Sequence, residues 1–197
     1  MTTLVDSLPF ADRARLQAGD TFIPRELTTL AGGTVRIPDP RKLVHLQMRR
    51  YAGCPICSLH LRSFVRRKDD LDRAGVREVA VFHSSAEALR TVHAELPFDV
   101  VPDPRRQLYA ALGVTTSPLA LLHPRGLRAA LRAAFSRASV APSAGVADGP
   151  FGLPANFLVA PSGRTVAVKY GVHADDQWSI DDLVAIVQGS AQSEARA

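Results

Sequence analysis

Cys54 and Cys57 are the two cysteines of the chain, and they lie three residues apart in the segment YAGCPICSLH, residues 51–60. At the start of a helix, a pair with this spacing brings its sulfurs close enough to close and reopen a disulfide without refolding of the backbone. In a reducing compartment such a pair is more often catalytic or metal-binding than a permanent crosslink. The motif therefore has three interpretations: a redox pair, half of a metal site, or two ordinary buried thiols.

The rest of the sequence weakens the metal interpretation. A structural zinc site needs four ligands, whereas the chain holds no second CxxC motif and no close pair of histidines. We therefore predict no metal and no other cofactor. The residues near the motif are candidates for positioning a substrate: Gly53, Pro55, His60 and Arg62. His60 by itself is interpreted as a solvated helix residue rather than a general base.

A strand is predicted before the motif and a helix after it. In the segment KLVHLQMRR, which starts at Lys42, apolar residues alternate with polar ones at the period of a strand. After the motif, apolar residues recur at helical spacing up to Gly75, which is a suitable stop. Unpaired N–H groups and the helix dipole stabilise a thiolate at a helix start, and cysteines of known CxxC proteins have a pKa of ~3.5 to 7.5.

The remainder of the chain continues to alternate strands with helices. Strands are predicted from Val76 and in FDVVPDP, each followed by a helix start, at Ser84-Ser85-Ala86-Glu87 and at Asp103-Pro104. The segment ANFLVAPSGRTVAVKYG predicts a hairpin, and Ser179 with Asp182 predicts the cap of a last helix. This order predicts an α/β fold with a mainly parallel sheet between helices.

An insertion at about residues 117–150 interrupts this pattern. Its first part, GLRAALRAAF, predicts an amphipathic helix, which we interpret as packed on its own domain rather than on a membrane. Its second part, SRASVAPSAGVADGP, is small, polar and broken by Pro and Gly, and it predicts a mobile loop.

The composition narrows the classes of partner. The chain has 197 residues, a formal charge of +5 and 46% hydrophobic residues. Its arginines are spread out and no recognition-helix signature accompanies them, so we predict no nucleic acid partner. Neither a leader-like apolar segment nor a run of eighteen apolar residues is present, so we predict no membrane span and a cytoplasmic protein.

Several segments together resemble a known superfamily. AGDTFIPRELTTLAGGTVRI resembles an N-terminal hairpin, YAGCPICSLHLRSF an active-site turn and helix, and GLPANFLVAPSGRTVAVKYG the hairpin of the thioredoxin fold. With LPFDVVPDPRRQLYAALGV, these segments are similar to peroxiredoxin-like proteins of the alkyl hydroperoxide reductase and thiol-specific antioxidant superfamily. The resemblance covers about residues 18–187 of a single domain, 1–197, and leaves the insertion unexplained. It implies a thioredoxin-like fold with a central mixed sheet.

The resemblance also implies roles for individual residues. Pro154 corresponds to the cis-proline that thioredoxin-fold proteins hold beside the CxxC motif. With Cys57 aligned to the peroxidatic cysteine, Cys54 and Arg50 stand at two helper positions of true peroxiredoxins, and Pro154 stands near the third. All three helper residues therefore differ, and Arg62 or an arginine of the insertion is the candidate to replace the missing cation.

Two functions from different classes remain open. The first is a thiol-dependent redox enzyme acting on peroxides or disulfides, catalysed by Cys54, Cys57 and Pro154 and recycled by thioredoxin, glutaredoxin or glutathione. The second is a thioredoxin-fold binding module with a metal-binding or redox-sensing cysteine pair. A homodimer is compatible with both functions.

The order of attack is a further prediction for the enzyme. Cys54 stands at the turn beside Gly53 and Pro55, where N–H groups can face its sulfur, so we expect Cys54 to attack and Cys57 to resolve.

Overall fold

The strands and helices follow the predicted alternation. The computed structural model describes residues 15–117, 124–135, 149 and 151–194. In chain order the elements are β1 (Arg25–Thr28), β2 (Thr34–Ile37), β3 (Leu43–Arg49), α1 (Pro55–Arg66), α2 (Lys68–Arg73), β4 (Val76–Phe82), α3 (Ala86–His93), β5 (Asp99–Pro102), α4 (Gln107–Ala111), α5 (Pro124–Phe135), β6 (Ala155–Val159), β7 (Thr165–Tyr170) and α6 (Ile180–Glu194).

The central sheet has five strands in the order β5-β4-β3-β6-β7. The β3–β4 and β4–β5 pairs are parallel, whereas β3–β6 and β6–β7 are antiparallel. The sheet is therefore mixed, as the resemblance implied, and not mainly parallel. The alternation of strands and helices does not distinguish a mixed sheet from a mainly parallel one. The antiparallel half of the sheet comes from the C-terminal hairpin, which adds both of its strands to one side of β3.

The predicted N-terminal hairpin is also present. Strands β1 and β2 pair antiparallel as a separate two-stranded sheet. Phe22, just before β1, joins the hairpin to the main sheet, because its backbone N–H donates to the carbonyl of Gly163 and its ring is buried in the main core.

Strand β3 is buried on both faces. Val44, Leu46 and Met48 belong to the largest apolar core. The alternate residues His45, Gln47 and Arg49 point to the opposite face and are at most 1% exposed. A central strand covered by helices leaves no side for solvent, so the polar half of the predicted alternation lies inside the protein.

Two helix boundaries differ from the sequence prediction. The helix predicted after the cysteines is two helices, because the backbone of Arg67 leaves the helical region (φ −117°, ψ 28°). The cap of α3 is Ser85, whose Oγ accepts from the N–H of Ala88. Ser84 instead accepts from the N–H of Ala52, in the turn before the cysteines. At α6 the predicted cap is confirmed, since Ser179 and Asp182 bond reciprocally.

The insertion contains the predicted amphipathic helix, α5. The loop predicted after it, residues 136–150, lies almost entirely outside the described residues. Of the helices in the described ranges, none has both the length and the apolar character needed to cross a membrane.

Candidate active site

The turn between β3 and α1 is fixed from two sides. Its own backbone closes it, since the N–H of Cys54 donates to the carbonyl of Tyr51. Ala52 then ties the turn to the neighbouring β4–α3 unit: its N–H donates to Ser84 Oγ (3.0 Å), and its carbonyl accepts from His93 Nε2 (2.9 Å). The cysteines therefore lie on a turn held by hydrogen bonds of the neighbouring strand and helix.

Cys54 is the N-cap residue of α1. Its backbone is extended (φ −65°, ψ 112°), and its sulfur accepts a hydrogen bond from the N–H of Cys57 (3.4 Å). Pro55 occupies the first turn of the helix, where a missing N–H costs nothing. Cys57 lies in the same turn, and both cysteines are free thiols. The motif therefore lies at the strand-to-helix junction that the sequence predicts.

Neither sulfur is open to solvent. Cys54 is 0% and Cys57 1% exposed, in a small apolar cluster with Ile56, Ala129 and Ala174. Ala129 belongs to α5, so the insertion helix covers the thiols. The sequence showed the amphipathic face of α5 but carried no local signal for the surface that this face covers.

Two arginines at the end of β3 supply positive charge to the thiols. Arg50 Nη1 lies 3.7 Å from Cys54 Sγ, as a donor. Arg49 is buried beside Gln177, to which its Nη1 donates, and its carbonyl accepts from the hydroxyl of Tyr109. Within the described part of the chain, Arg49 Nε and Nη2 have no hydrogen-bond partner. A buried guanidinium with two unused donors is suited to an anionic group close by.

These surroundings separate the two thiols electrostatically. Burial raises the pKa of Cys57, but a hydrogen bond from the Cys54 thiol and the charges of Arg50 and Arg49 together lower it to about 6. The pKa of Cys54 is raised well above its ordinary value, by burial and by the hydrogen bond to Cys57, while Arg50 opposes this rise. The charges therefore favour a thiolate at Cys57, the opposite of the sequence expectation.

A buried polar row continues from Arg49 along the face of β3. His45 Nδ1 contacts Glu78 Oε2 at 2.8 Å, and Gln47 Nε2 donates to the other oxygen of the same carboxylate. Burial lowers the pKa of Arg49, whereas the charges of Cys57 and Glu78 oppose that shift. Glu78 is thus a buried anion that helps to balance the buried cation, which lone charges in a protein interior require.

The other predicted positioning residues are divided between the site and its surroundings. Gly53 is buried in the turn, and Pro55 begins α1. His60 lies one turn further along α1 against Phe64 (5.0 Å between ring centroids), and burial, together with Arg49 and His45, lowers its pKa well below the ordinary value. His60 is therefore partly enclosed and not a solvated residue.

Arg62 is exposed on another face of α1. It lines a cleft with Val92 and Glu95 of the α3 region. It is not one of the residues packed around the thiols. The cations beside the thiols are Arg49 and Arg50. In the sequence, Arg49 is the last polar residue of the alternating strand pattern, and Arg50 follows it directly before the cysteine motif.

The cis bond expected before Pro154 is not found. In the described part of the chain, the cis peptide bond is Ile37–Pro38. Pro154 is buried at the entry to β6, where its carbonyl accepts from the N–H of Gly171 (2.8 Å). A side-chain carbon on Gly171 would come within 2.8 Å of both the ring and the carbonyl of Pro154, so Pro154 packs closely against the residue that follows β7.

The described residues contain no group of three or more His, Cys, Asp or Glu side chains arranged to hold a metal ion. The buried acid–base pair His45–Glu78 has Gln47 and Asn156 as its further partners, and neither is one of these types.

Solved structures with a similar fold are peroxiredoxins. Peroxidoxin BcpB from Mycobacterium tuberculosis has a TM-score of 0.64 at 13% identity and covers 89% of this chain and 98% of its own. AhpC of the same organism has a TM-score of 0.63 at 16% identity, covering 92% and 96%. The reduced 2-Cys peroxiredoxin of Plasmodium vivax has a TM-score of 0.63 at 13% identity, covering 91% and 99%. At these identities the likeness establishes the thioredoxin fold.

The sequence itself gives one family match. No curated protein matches the chain. The family model for the AhpC/TSA antioxidant enzyme matches residues 63–173, which is more than half of the 197 residues but begins after Cys57. The mixed five-stranded sheet, the peroxiredoxin-like structures and this match agree: the chain belongs to the AhpC/TSA antioxidant enzyme family.

Proposed function

We propose that the protein is a thiol peroxidase in which Cys57 is the attacking residue and Cys54 the resolving residue. The observation that carries this proposal is the buried Cys57 thiol, whose pKa is lowered to about 6 beside Arg50 and Arg49. At neutral pH such a thiol is largely ionised, and the thiolate is the nucleophile. The proposal reverses the order of attack expected from the sequence.

The reaction has two steps. The Cys57 thiolate attacks one oxygen of a hydroperoxide, the O–O bond breaks, and the leaving alkoxide or hydroxide takes a proton to become an alcohol or water. Cys57 is then a sulfenic acid. The Cys54 thiol attacks this sulfur, forms the Cys54–Cys57 disulfide and releases water. The thiol pair supplies the two electrons that the peroxide accepts.

Arg49 takes the place of the missing helper residues in this proposal. Negative charge moves from sulfur to the leaving oxygen as the O–O bond breaks, and donors fixed in a water-poor site stabilise that charge most strongly. The unpartnered Nε and Nη2 of Arg49 are such donors. Arg50, whose Nη1 lies near Cys54 Sγ, adds a second charge on the same side.

The burial of both sulfurs supports a small oxidant. At 0% and 1% exposure the thiols are not available to the surface of a folded protein. A hydroperoxide needs only a narrow path to the closed site, whereas exchange with a protein disulfide or a protein dithiol needs the site to open first. We therefore propose hydroperoxides as the oxidising substrate and a cytoplasmic thiol system, such as thioredoxin, glutaredoxin or glutathione, as the reductant.

The test compares the wild type with Cys54→Ser and Cys57→Ser. We expect Cys57→Ser to lose peroxide consumption and Cys54→Ser to consume about one equivalent and stop at a trapped sulfenic acid, because nothing resolves it. Reduction of an insulin disulfide is measured in parallel. Full single-turnover activity in Cys57→Ser, or disulfide reduction without peroxide consumption in the wild type, would contradict the proposal.

The binding-module alternative predicts a different result from the same samples. If the pair binds a metal, protein purified without chelator should contain metal, in proportion to the thiols that no longer react with a thiol reagent. Peroxide would then be consumed no faster than by free cysteine. The pKa of Cys57 is lowered and that of Cys54 is raised. Strongly shifted pKa values in a pair of neighbouring groups are typical of a catalytic site, so they favour the enzyme over the binding module.

A further inference from the structure

Glu78 is a buried carboxylate that takes no part in the proposed reaction. It lies on β4 as the Cα partner of His45 on β3, and its side chain is 3% exposed. Both of its oxygens have partners: Oε2 contacts His45 Nδ1 at 2.8 Å, and Oε1 accepts from Gln47 Nε2. His45 in turn stacks on Phe64 and contacts Asn156 Oδ1 through Nε2 (3.2 Å). The carboxylate is therefore held in one position.

A buried row of polar side chains leads from Glu78 to the cysteines. The side chains of His45, Gln47 and Arg49 share one face of β3, where residues two apart are about 6.5 Å from each other. Glu78 binds the first two members of the row, and the charge of the third, Arg49, acts on Cys57. The charges of Glu78 and Cys57 both act on Arg49. The guanidinium therefore interacts with two buried anions, one fixed and one redox-active.

The two anions respond differently to oxidation. Formation of the disulfide removes the thiolate charge of Cys57, whereas the carboxylate of Glu78 is unchanged. A buried cation without a counter-charge is costly, so Glu78 continues to balance Arg49 when the thiolate is gone. In the reduced form, the same carboxylate offsets part of the attraction between Arg49 and the thiolate.

We propose that Glu78 is a positioning residue that acts through Arg49: its fixed charge limits how strongly the guanidinium stabilises the Cys57 thiolate, and so sets the balance between dithiol and disulfide. This inference rests on the proposed function in that it takes the Cys57 thiolate and the Cys54–Cys57 disulfide as the two states of the site. The thiolate and the Cys54 thiol form the disulfide by losing two electrons and one proton. An external dithiol reverses this step and becomes a disulfide itself.

Other titratable groups lie near the same residues. Those near Cys57, besides Arg49, belong to the turn and to α4: Cys54, Arg50, Tyr51 and Tyr109. Those near Arg49, besides Cys57 and Glu78, come from the turn, α1, α3, α4 and the β7–α6 loop: Cys54, His60, Tyr109, His93 and Asp175. Those near Glu78, besides His45, line a cleft on its outer side: Lys42, Lys68, Asp72, Arg77 and Asp99. Asp175 is half-buried, so solvent screens its charge more than that of Glu78.

The first measurement is the pH dependence of Cys57 alkylation in Glu78→Gln, which removes the charge and keeps the size of the side chain. Without the carboxylate, Arg49 should stabilise the thiolate more strongly and lower the pKa of Cys57 further. We expect half-maximal labelling about one pH unit below that of the wild type, roughly the effect of one charge about 10 Å away at an effective dielectric constant of about 20. A disordered site would instead raise the pKa of Cys57 toward its ordinary value, so the direction separates charge from damage.

The second measurement is the equilibrium between dithiol and disulfide in mixtures of reduced and oxidised dithiothreitol at pH 7, quantified by alkylation and mass spectrometry. The thiolate belongs to the reduced form, so the equilibrium of Glu78→Gln should shift about tenfold toward the dithiol, or about 30 mV for a two-electron couple. No peroxide is present. A protein without peroxidase activity would still give both results, so failure of this inference and failure of the proposed function are distinguishable.

Three further variants separate the charge of Glu78 from its other effects. Glu78→Asp keeps the charge and should stay near the wild type in both measurements. Asp72→Asn removes an exposed carboxylate that pairs with Lys68 in the outer cleft, and it should behave as the wild type because solvent screens its charge. In an Arg49→Met background, adding Glu78→Gln should shift the labelling of Cys57 much less, since its effect passes through Arg49.

The double variant Arg49→Met/Glu78→Gln also covers the case in which Glu78→Gln does not fold. It removes both buried charges, so urea unfolding should show it to be more stable than Glu78→Gln alone. Three results would each overturn the inference: labelling of Cys57 in Glu78→Gln at the wild-type pH or above, an unchanged dithiol–disulfide equilibrium, or a double variant no more stable than Glu78→Gln.

Discussion

The two sides of the cysteine pair differ in chemistry. On the β3 side lie buried cations, with Arg49 beside Gln177 and Arg50 near Cys54. On the α5 side lies a small apolar residue, Ala129. The first side contains charges that lower the pKa of Cys57, and on the second side Ala129 closes the site to solvent. In the proposed reaction, thiol reactivity depends on one side and access to the thiols on the other, so substitutions on the two sides should have separable effects.

The largest effect is expected from Arg49→Met, which removes the buried cation and keeps an apolar stem of similar length. Peroxide consumption should fall about 100-fold or more, because the leaving oxygen loses fixed donors, and the pKa of Cys57 should rise. The measurements are the rate of peroxide loss and the pH dependence of alkylation.

Arg36→Met, in the exposed N-terminal hairpin, is the control and should behave as the wild type. A normal peroxide rate in Arg49→Met would show that the charge on the β3 side does not drive the reaction.

A smaller and opposite effect is expected on the α5 side. Ala129→Gly weakens the helix by roughly 1 kcal/mol, so the thiols should be uncovered more often. Alkylation by a bulky maleimide should become about fivefold faster, in line with that local destabilisation, while the pKa of Cys57 stays constant.

Ala191→Gly makes the same substitution at an exposed position of α6, and it should leave the maleimide rate unchanged. A different outcome for Ala129→Gly would contradict the separation of the two sides. This is a shift in the pKa of Cys57 with no change in the maleimide rate at a pH where Cys57 is fully ionised.

The smallest effect on thiol reactivity is expected from the turn that both sides share, where substitutions should act on stability. Ser84→Ala leaves the buried N–H of Ala52 without its partner and should lower the free energy of unfolding by about 1 to 3 kcal/mol. Ser85→Ala removes only the cap of α3 and should cost about 1 kcal/mol. Urea unfolding of both variants gives the comparison, and an equal or larger loss in Ser85→Ala would contradict it.

The sequence predicted the elements that local signals determine. The alternation in β3, the cap at Ser179 and the strand-to-helix placement of Cys54 depend on neighbouring residues, and these were correct. Hydrogen bonds between separate elements are harder to predict. Ser84 has the pattern of a helix cap, but its Oγ accepts from the N–H of Ala52 in the turn before the cysteines.

The candidate site was predicted less completely than the fold. Cys54 and Cys57 stand out in the sequence as candidates. Arg49 instead has the pattern of a solvent-facing strand residue, and its burial follows only from the central position of β3 in the sheet. The contact between Ala129 and the thiols joins segments far apart in the chain, and no residue pattern in either segment encodes it. Arg62 is a candidate from the sequence to replace the missing cation, yet it lies on another face of α1.

The central claim is that the charges on the β3 side make Cys57, and not Cys54, the reactive thiol. The most direct measurement is alkylation of the reduced wild type with iodoacetamide across a range of pH, with each cysteine quantified by mass spectrometry. A lowered pKa means that thiolate is present above that pKa and is lost as the pH falls through it. We expect labelling of Cys57 to be half-maximal near pH 6 and labelling of Cys54 to begin only at alkaline pH, because its pKa is raised. Labelling of Cys54 first at neutral pH would contradict the claim.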